Sequence, residues 1–285
     1  MKLPITCIIL TFNEENNIEN CLKSVFHLCD EIMIVDSGST DKTIEIAKNY
    51  TDCIFYHEFE NYASQRNWAL DNLPIHNNWI FNLDADHRIT EELETELLRL
   101  FQEGIPDEVS GFLISRRTIF LGRWIRYGGH YPTYHSCLFK KGFGRCEDKL
   151  YDQHFVVTGK LIKVKGDIED IITDSISRFI ARHNQWSTLE ARFITEKQKS
   201  RKNHELIRGN PAGNPIEKRR AFRDLYYCFP LFLRPFVYFF YRYVIRLGFL
   251  DGKEGLIFHV LQGFWFRFLV DVKIWELRRS SSGLE

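Results

Sequence analysis

Trp79-Ile80-Phe81-Asn82-Leu83-Asp84-Ala85-Asp86 is an apolar run that ends on two carboxylates. Extended residues two apart face the same way, so a strand ending here projects Asp84 and Asp86 together from its carboxyl end. Paired carboxylates at that position can hold a divalent cation through oxygen, and open α/β sheets take their ligands there. A bare Asp-x-Asp also occurs as two solvated loop residues, so its meaning rests on what precedes it.

Upstream, Ile5-Thr6-Cys7-Ile8-Ile9-Leu10 reads as a strand, Thr11-Phe12-Asn13-Glu14-Glu15-Asn16-Asn17 as a polar turn and Ile18 to Val25 as a helix. A second unit repeats this: Glu31-Ile32-Met33-Ile34-Val35 leads into Asp36-Ser37-Gly38-Ser39-Thr40-Asp41 and a helix from Lys42 to Asn49, which Ser39 or Thr40 can cap. Cys53 to His57 reads as a short strand and Ala63 to Asn72 as a helix. Strands alternating with helices predict an α/β fold with a mostly parallel sheet covered on both faces. Thr11-Phe12-Asn13-Glu14 stands where a sugar nucleotidyltransferase carries a glycine-rich phosphate loop, which makes that class the weaker alternative.

Taken in order, Thr11-Phe12-Asn13-Glu14, Asp36-Ser37-Gly38-Ser39-Thr40-Asp41 and Asp84-Ala85-Asp86 resemble the N-terminal half of family 2 glycosyltransferases of the GT-A fold. The resemblance runs over residues 4 to 160 and is strongest to the branch that makes lipopolysaccharide core and surface polysaccharide. It implies a Rossmann-like central sheet and an inverting transfer from a nucleotide-sugar, a UDP-sugar first, with Mn²⁺ or Mg²⁺ as cofactor. Thr11, Asn13 and Glu14 are then expected near the nucleoside and Asp36 near the base or ribose. Asp86 is expected as the chief metal ligand, with Asp84 directed to the ribose or to water on the ion. The base is expected in Glu147-Asp148, with Asp148 first, Glu147 second and Asp152 third. A single carboxylate base without a carboxylate nucleophile fits single displacement. Two positions depart from the family pattern: many relatives carry a second Asp where Ser37 stands, and the branch usually carries Glu where His87 stands.

Several candidates have an ordinary structural alternative. Asn13 and Glu14 can cap the following helix, Arg66 can contact the diphosphate or base or be a solvated helix residue, and each acid of the base cluster can belong to a surface ion pair. His154 can be an additional metal or phosphate contact or a structural histidine. Arg116, Arg117 and Arg123, with Gly128-Gly129-His130-Tyr131-Pro132, can line an acceptor cleft.

The 38 basic and 38 acidic residues cancel, so no global charge points to nucleic acid. Seven scattered cysteines without a C-x-x-C pair argue against a disulfide framework or zinc site and for a reducing cytoplasm. Met1-Lys2-Leu3-Pro4 runs straight into a strand rather than a cleavable leader, and Ser280 to Glu285 reads as an expression remnant.

Composition changes after residue 215: twelve aromatics fall between Ala221 and Leu250. Pro230, Pro235, Arg234, Arg242 and Arg246 interrupt that stretch, which argues against a simple transmembrane helix. At helical spacing Arg234, Arg242 and Arg246 lie within about 120° of one another, predicting a cationic stripe beside an aromatic face, as on a helix lying in the membrane interface. Lys218-Arg219-Arg220 and Arg223 add a basic cluster suited to anionic lipid, and Gly255 to Trp275 is expected to pair with the first segment. Ordinary packing of both segments as core is the alternative. The expected organisation is a catalytic domain over 1–170 (donor half 1–90, acceptor half 91–170), a helix and linker over 171–215, and membrane-associating helices over 216–279. The acceptor implied is a glycolipid or lipid-linked oligosaccharide at the cytoplasmic face of the inner membrane. A non-catalytic membrane adaptor that kept the fold is the alternative from another class.

Overall fold

The computed structural model describes residues 2–148, 153–173, 175–199 and 208–281. They divide into two compact units: one reaches to Arg116 and adds Thr133–Asp148 and Gln153–Asp170, the other holds Arg117–Pro132 and the described residues from Ile171 on.

The first unit opens with β1 (Leu3–Thr11), α1 (Ile18–Phe26), β2 (Cys29–Asp36), α2 (Thr43–Ala47), β3 (Ile54–Tyr56), α3 (Tyr62–Asn72) and β4 (Trp79–Asp84). It continues through β5 (His87–Ile89), α4 (Glu91–Glu103) and β6 (Val109–Phe120). After β7 (Arg123–Trp124), which belongs to the second unit, come β8 (Thr133–Lys140), β9 (Gly144–Cys146), β10 (Phe155–Val157) and β11 (Lys160–Thr173). The sheet order is β3-β2-β1-β4-β8-β6-β11-β5. Strands β3, β2, β1 and β4 are parallel, whereas β8 enters antiparallel to β4 and β6 antiparallel to β8. The expected α/β sheet flanked by helices is present, with its parallel half formed by the strands that carry the three motifs.

Alternation along β1 sends side chains to both faces, and both are covered, which is why the strand is apolar throughout. Ile5, Cys7 and Ile9 pack with Ile18 and Leu22 of α1 and with Leu93 and Leu97 of α4. Ile8 packs on the opposite side with Ala63, Ala69, Phe139 and Phe155. Asn61 caps α3 by accepting from the Ser64 amide at 2.9 Å, and Thr90 caps α4 by accepting from the Leu93 amide at 3.3 Å. The cap expected for α2 is not found: Lys42 precedes it without a side-chain bond, because Ser39 and Thr40 are committed to other partners in the turn.

The second unit is built on helices: α5 (Ile176–Lys199), α6 (Pro215–Tyr227), α7 (Arg234–Phe240), α8 (Gly252–Phe258) and α9 (Phe266–Ser281). Wider, π-type turns over Tyr241–Ile245 and His259–Trp265 continue α7 and α8. Ala191 and Ile194 of α5 pack on Phe266, Val270 and Ile274 of α9. The end of the expected linker proves to be a helix start. Asn214 accepts from the Ile216 and Glu217 amides, Glu217 accepts from the Asn214 amide, and Pro215 opens α6.

Gly255 to Trp275 does pair with the aromatic segment, Phe236 meeting Phe264 and Phe268, and Phe239 meeting Phe264. The cationic stripe is not displayed as expected, because Arg234 is 3% exposed and Arg242 6%. Arg234 Nε donates to Asp271 Oδ1 at 2.8 Å, while Arg242 Nε donates to the Gly128 carbonyl at 2.7 Å and Nη1 to the Tyr238 hydroxyl at 2.9 Å. Helical spacing placed the arginines on one side without saying which side faces in. Partners distant in sequence decide that. Gly128 has φ +74°, and a Cβ there would come within 2.1 Å of the His259 ring, so the turn that offers its carbonyl to Arg242 requires glycine. The stretch Gly248–Ser280 is, by length and composition alone, long and apolar enough to cross a membrane, and 39% of its most apolar part is buried.

Two stability results follow from this unit. Asp271→Asn leaves Arg234 buried beside a neutral group and is expected to cost about 3–5 kcal/mol in chemical unfolding, and a change below about 1 kcal/mol would make the pair incidental. His183 bonds the Phe179 carbonyl at 2.8 Å and stacks on the Phe179 ring. Burial pushes its imidazolium from 6.5 down to about 4 although that carbonyl pulls the other way. The unfolded chain therefore binds a proton that the native state refuses, so stability is complete above 6.5 and declines as pH falls toward about 4. A melting temperature flat across that window would contradict this.

Candidate active site

Strand register assembles the site. Thr11 lies opposite Asp36 across β1 and β2, and Leu10 opposite Asp84 across β1 and β4, so the three motifs end on one edge of the sheet. Asp36 Oδ2 accepts from the Gly38 and Ser39 amides, both at 2.9 Å. Asn13, at φ 54°, accepts from the Thr40 amide at 2.8 Å and donates its own amide to Ser39 Oγ at 2.8 Å, while the Glu14 amide donates to Thr43 Oγ1 at 2.7 Å. These residues, expected beside the nucleoside, knit the two turns into one lip at the sheet edge. Asn17 is the residue that precedes α1, and Glu14 secures it, its carboxylate accepting from Asn17 Nδ2 at 2.7 Å and its carbonyl accepting from the Asn17 and Ile18 amides. The Thr11 hydroxyl is buried at this edge and makes no hydrogen bond among the described residues, so it is a polar group that a ligand atom would satisfy.

Arg66 pairs with Asp84: its Nη2 lies 2.7 and 3.0 Å from the two carboxylate oxygens. Burial pushes the Asp84 carboxyl up, but Arg66, aided by His87 and Arg116, outweighs it and holds the group below the usual range. Asp84 is therefore ionised at neutral pH.

His87 is the residue whose role the sequence left open. Its Nδ1 accepts the Asp84 amide at 3.0 Å, which leaves the proton on Nε2, 3.6 Å from Asp84 Oδ2 and 4.0 Å from Asp86 Oδ1. Burial, then the Arg116 guanidinium, pushes the imidazolium down to about 3 against the pull of Asp84, so the ring is neutral. Ligand atoms of Asp84, Asp86 and His87 all lie within 4.8 Å of one another. His154 is not in this group. It is buried, stacks on His135 at 5.1 Å and, with Arg66, Arg116 and Cys146, helps line an adjoining cavity of about 80 Å³.

Helix α3 also positions the candidate base. Asn67, next to Arg66, clasps β9 through both directions of its amide, accepting from the Cys146 amide at 2.9 Å and donating to its carbonyl at 3.0 Å. Beyond Cys146 the two acids part. Glu147 is 1% exposed and its carboxylate accepts from the His154 amide at 3.3 Å, while Asp148 is exposed at the end of the described segment. Burial first, then Glu147, Asp84 and Asp148 against the opposing pull of Arg66, puts the Cys146 thiol at about 11, so these groups act on one sulfur. Asp152 lies outside the described residues. Of the three arginines grouped by sequence, Arg116 belongs to this unit and approaches Asp170 at 3.8 Å. Arg117 and Arg123 belong to the other, with Arg117 over the Trp124 ring and Arg123 3.7 Å from Glu254.

A parallel sheet edge bearing an Asp-x-Asp pair and a turn lip is the setting of a nucleotide-sugar enzyme, and residues 6–164 match the family model for glycosyl transferase family 2. The chain belongs to that family and is a glycosyltransferase with a nucleotide-sugar-binding fold. It is similar to the lipopolysaccharide core biosynthesis glycosyltransferase LpsC of Rhizobium meliloti (strain 1021), with 30% identity over 219 residues covering 72% of this chain and 77% of the relative. An uncharacterised glycosyltransferase, RP128 of Rickettsia prowazekii (strain Madrid E), is 23% identical over 98% of this chain and 89% of its own. Among solved structures, S. aureus TarS 1-349 gives a TM-score of 0.39 at 13% identity, covering 99% of this chain and 93% of that one.

Proposed function

We propose that the chain transfers a sugar, with inversion and metal assistance, from a nucleotide-sugar, a UDP-sugar first, to a glycolipid or lipid-linked oligosaccharide in lipopolysaccharide or surface polysaccharide synthesis. We place it peripherally at the cytoplasmic face of the cell membrane, on a surface containing anionic lipid. The observation that carries the chemistry is the Asp84 and Asp86 pair on the same sheet edge as the buried Thr11 hydroxyl.

Two carboxylates suit Mn²⁺ or Mg²⁺, hard cations that prefer oxygen. Asp86 is the chief ligand, as the family resemblance implies, with Asp84, held by Arg66, directed to the ribose or to water on the ion. A bound cation stabilises the charge that grows on the departing nucleoside diphosphate. Thr11 offers its hydroxyl to the donor, and the lip tied by Asn13, Glu14 and Asp36 shapes the nucleoside side. Asp148, exposed where Glu147 is buried, takes the proton from the acceptor hydroxyl as it attacks the anomeric carbon. Asp152 is the reserve candidate for that role. Arg116 and His154, lining the cavity beside Asp84, face the sugar or acceptor.

The test is release of nucleoside diphosphate from a panel of nucleotide-sugars by the full chain, with and without Mn²⁺ or Mg²⁺. Metal-dependent release from one donor class is expected. Neither release nor binding with any donor would favour a non-catalytic adaptor.

A further inference from the structure

Helix α7 and the π-type turn that continues it are built inside out. Phe236, Val237, Phe240, Tyr241, Val244 and Ile245 are exposed, Phe240 at 57% and Ile245 at 59%. Arg234 and Arg242, on the other face, are buried. A helix on the surface of a soluble domain carries the opposite pattern. The inward arginines bond Asp271, the Gly128 carbonyl and the Tyr238 hydroxyl, with Arg242 Nη2 alone left without a hydrogen bond among the described residues, and burying them leaves the outward positions to apolar side chains. Exposed large apolar residues continue on both sides, from Phe222 and Leu225 in α6 to Leu256 and Val260 after α7. Large apolar side chains exposed in such number along one segment mark a contact with an apolar phase or partner.

We propose that this face sits at the boundary between headgroups and hydrocarbon of a lipid bilayer, held mainly by apolar burial, with charge in a supporting role. Two further features of the same unit agree with lipid as the occupant. The stretch Gly248–Ser280, which packs on this segment, has the length and apolarity of a membrane-crossing helix by composition alone, while most of its apolar part is not buried. The exposed charges between residues 216 and 280 are Lys218, Arg219, Arg246, Lys253, Arg278 and Arg279 against Glu276 alone, which complements lipid phosphate. A second copy of this unit would carry the same excess of exposed cations, so pairing two copies would bring like charges together. The inference deepens the membrane clause of the proposed function and is independent of the sugar chemistry, since donor hydrolysis tests one and vesicle binding the other.

Flotation of the full chain with vesicles tests it. Binding to neutral phosphatidylcholine vesicles is expected and persists at 1 M salt, where charge interactions are screened beyond about 3 Å. Phe240→Asp combined with Val244→Asp reduces the bound fraction at least about tenfold, with melting temperature and donor hydrolysis in solution unchanged. Lys218→Glu with Arg219→Glu removes only the added binding gained from anionic vesicles. Three results would overturn the proposal: no flotation with neutral vesicles, binding confined to anionic vesicles and lost in salt, or a dimer that the Phe240 and Val244 substitutions dissociate.

Discussion

Asp86→Ala is expected to lower kcat/KM for sugar transfer by at least about 10³-fold and to weaken Mn²⁺ binding in parallel. A cation at the leaving group is worth several kcal/mol of transition-state stabilisation, and each 1.4 kcal/mol is tenfold in rate. Asp86 stands with Asp84 and His87 in the one group of possible cation ligands among the described residues. Asp84 is already gripped through both oxygens by Arg66, and His87 has its acceptor nitrogen occupied by the Asp84 amide. EDTA should reproduce the loss in the unaltered chain, and added Mn²⁺ should restore it there but not in the variant. The free-Mn²⁺ electron paramagnetic resonance signal reads the binding without reference to turnover. Undiminished transfer by Asp86→Ala, or in EDTA, would remove metal assistance from the mechanism.

Asp148→Asn is the second large effect, an expected fall of about 10²–10⁴ in kcat with donor affinity unchanged, the range for losing a general base. Asparagine keeps the shape and removes the proton acceptor. Glu147→Gln should behave differently, because that carboxylate is buried and braces the hairpin of β9 and β10 through the His154 amide. It should weaken the fold more than it slows the chemical step. If Asp148→Asn retains its turnover while Asp152→Asn loses it, the base is Asp152.

The comparison of these two acids shows where a linear reading of the chain stops. Neighbouring carboxylates in Cys146-Glu147-Asp148 look equivalent until the hairpin buries one and exposes the other. The apolar runs of β1, β2 and β4 were legible because each strand is covered on both faces, and the positions of Asp36 and Asp84 at strand ends followed from where those runs stop. The register that brings Thr11 opposite Asp36 is a property of pairing between segments and leaves no local trace. The same holds for Arg66, whose partner is eighteen residues away, and for Arg234, whose partner Asp271 lies in another helix. His87 carried no signal beyond its place after the Asp pair. Its role rests on one bond from the Asp84 amide, which fixes the tautomer and so decides what the ring offers to the carboxylates. The bonds that Asn13 and Asp36 make inside the turns were not legible either, because short polar side chains in turns can bond any of several nearby main-chain groups.

The central claim is that the edge formed by Thr11, Asp36, Asp84 and Asp86 holds donor and cation together. Crystals grown with a UDP-sugar and Mn²⁺ and measured at the manganese absorption edge test it most directly. An anomalous peak within bonding distance of an Asp86 oxygen, with the nucleotide against Thr11 and the Asn13 turn, is the result this account predicts. A nucleotide bound away from that edge, with no peak at Asp86, would contradict it.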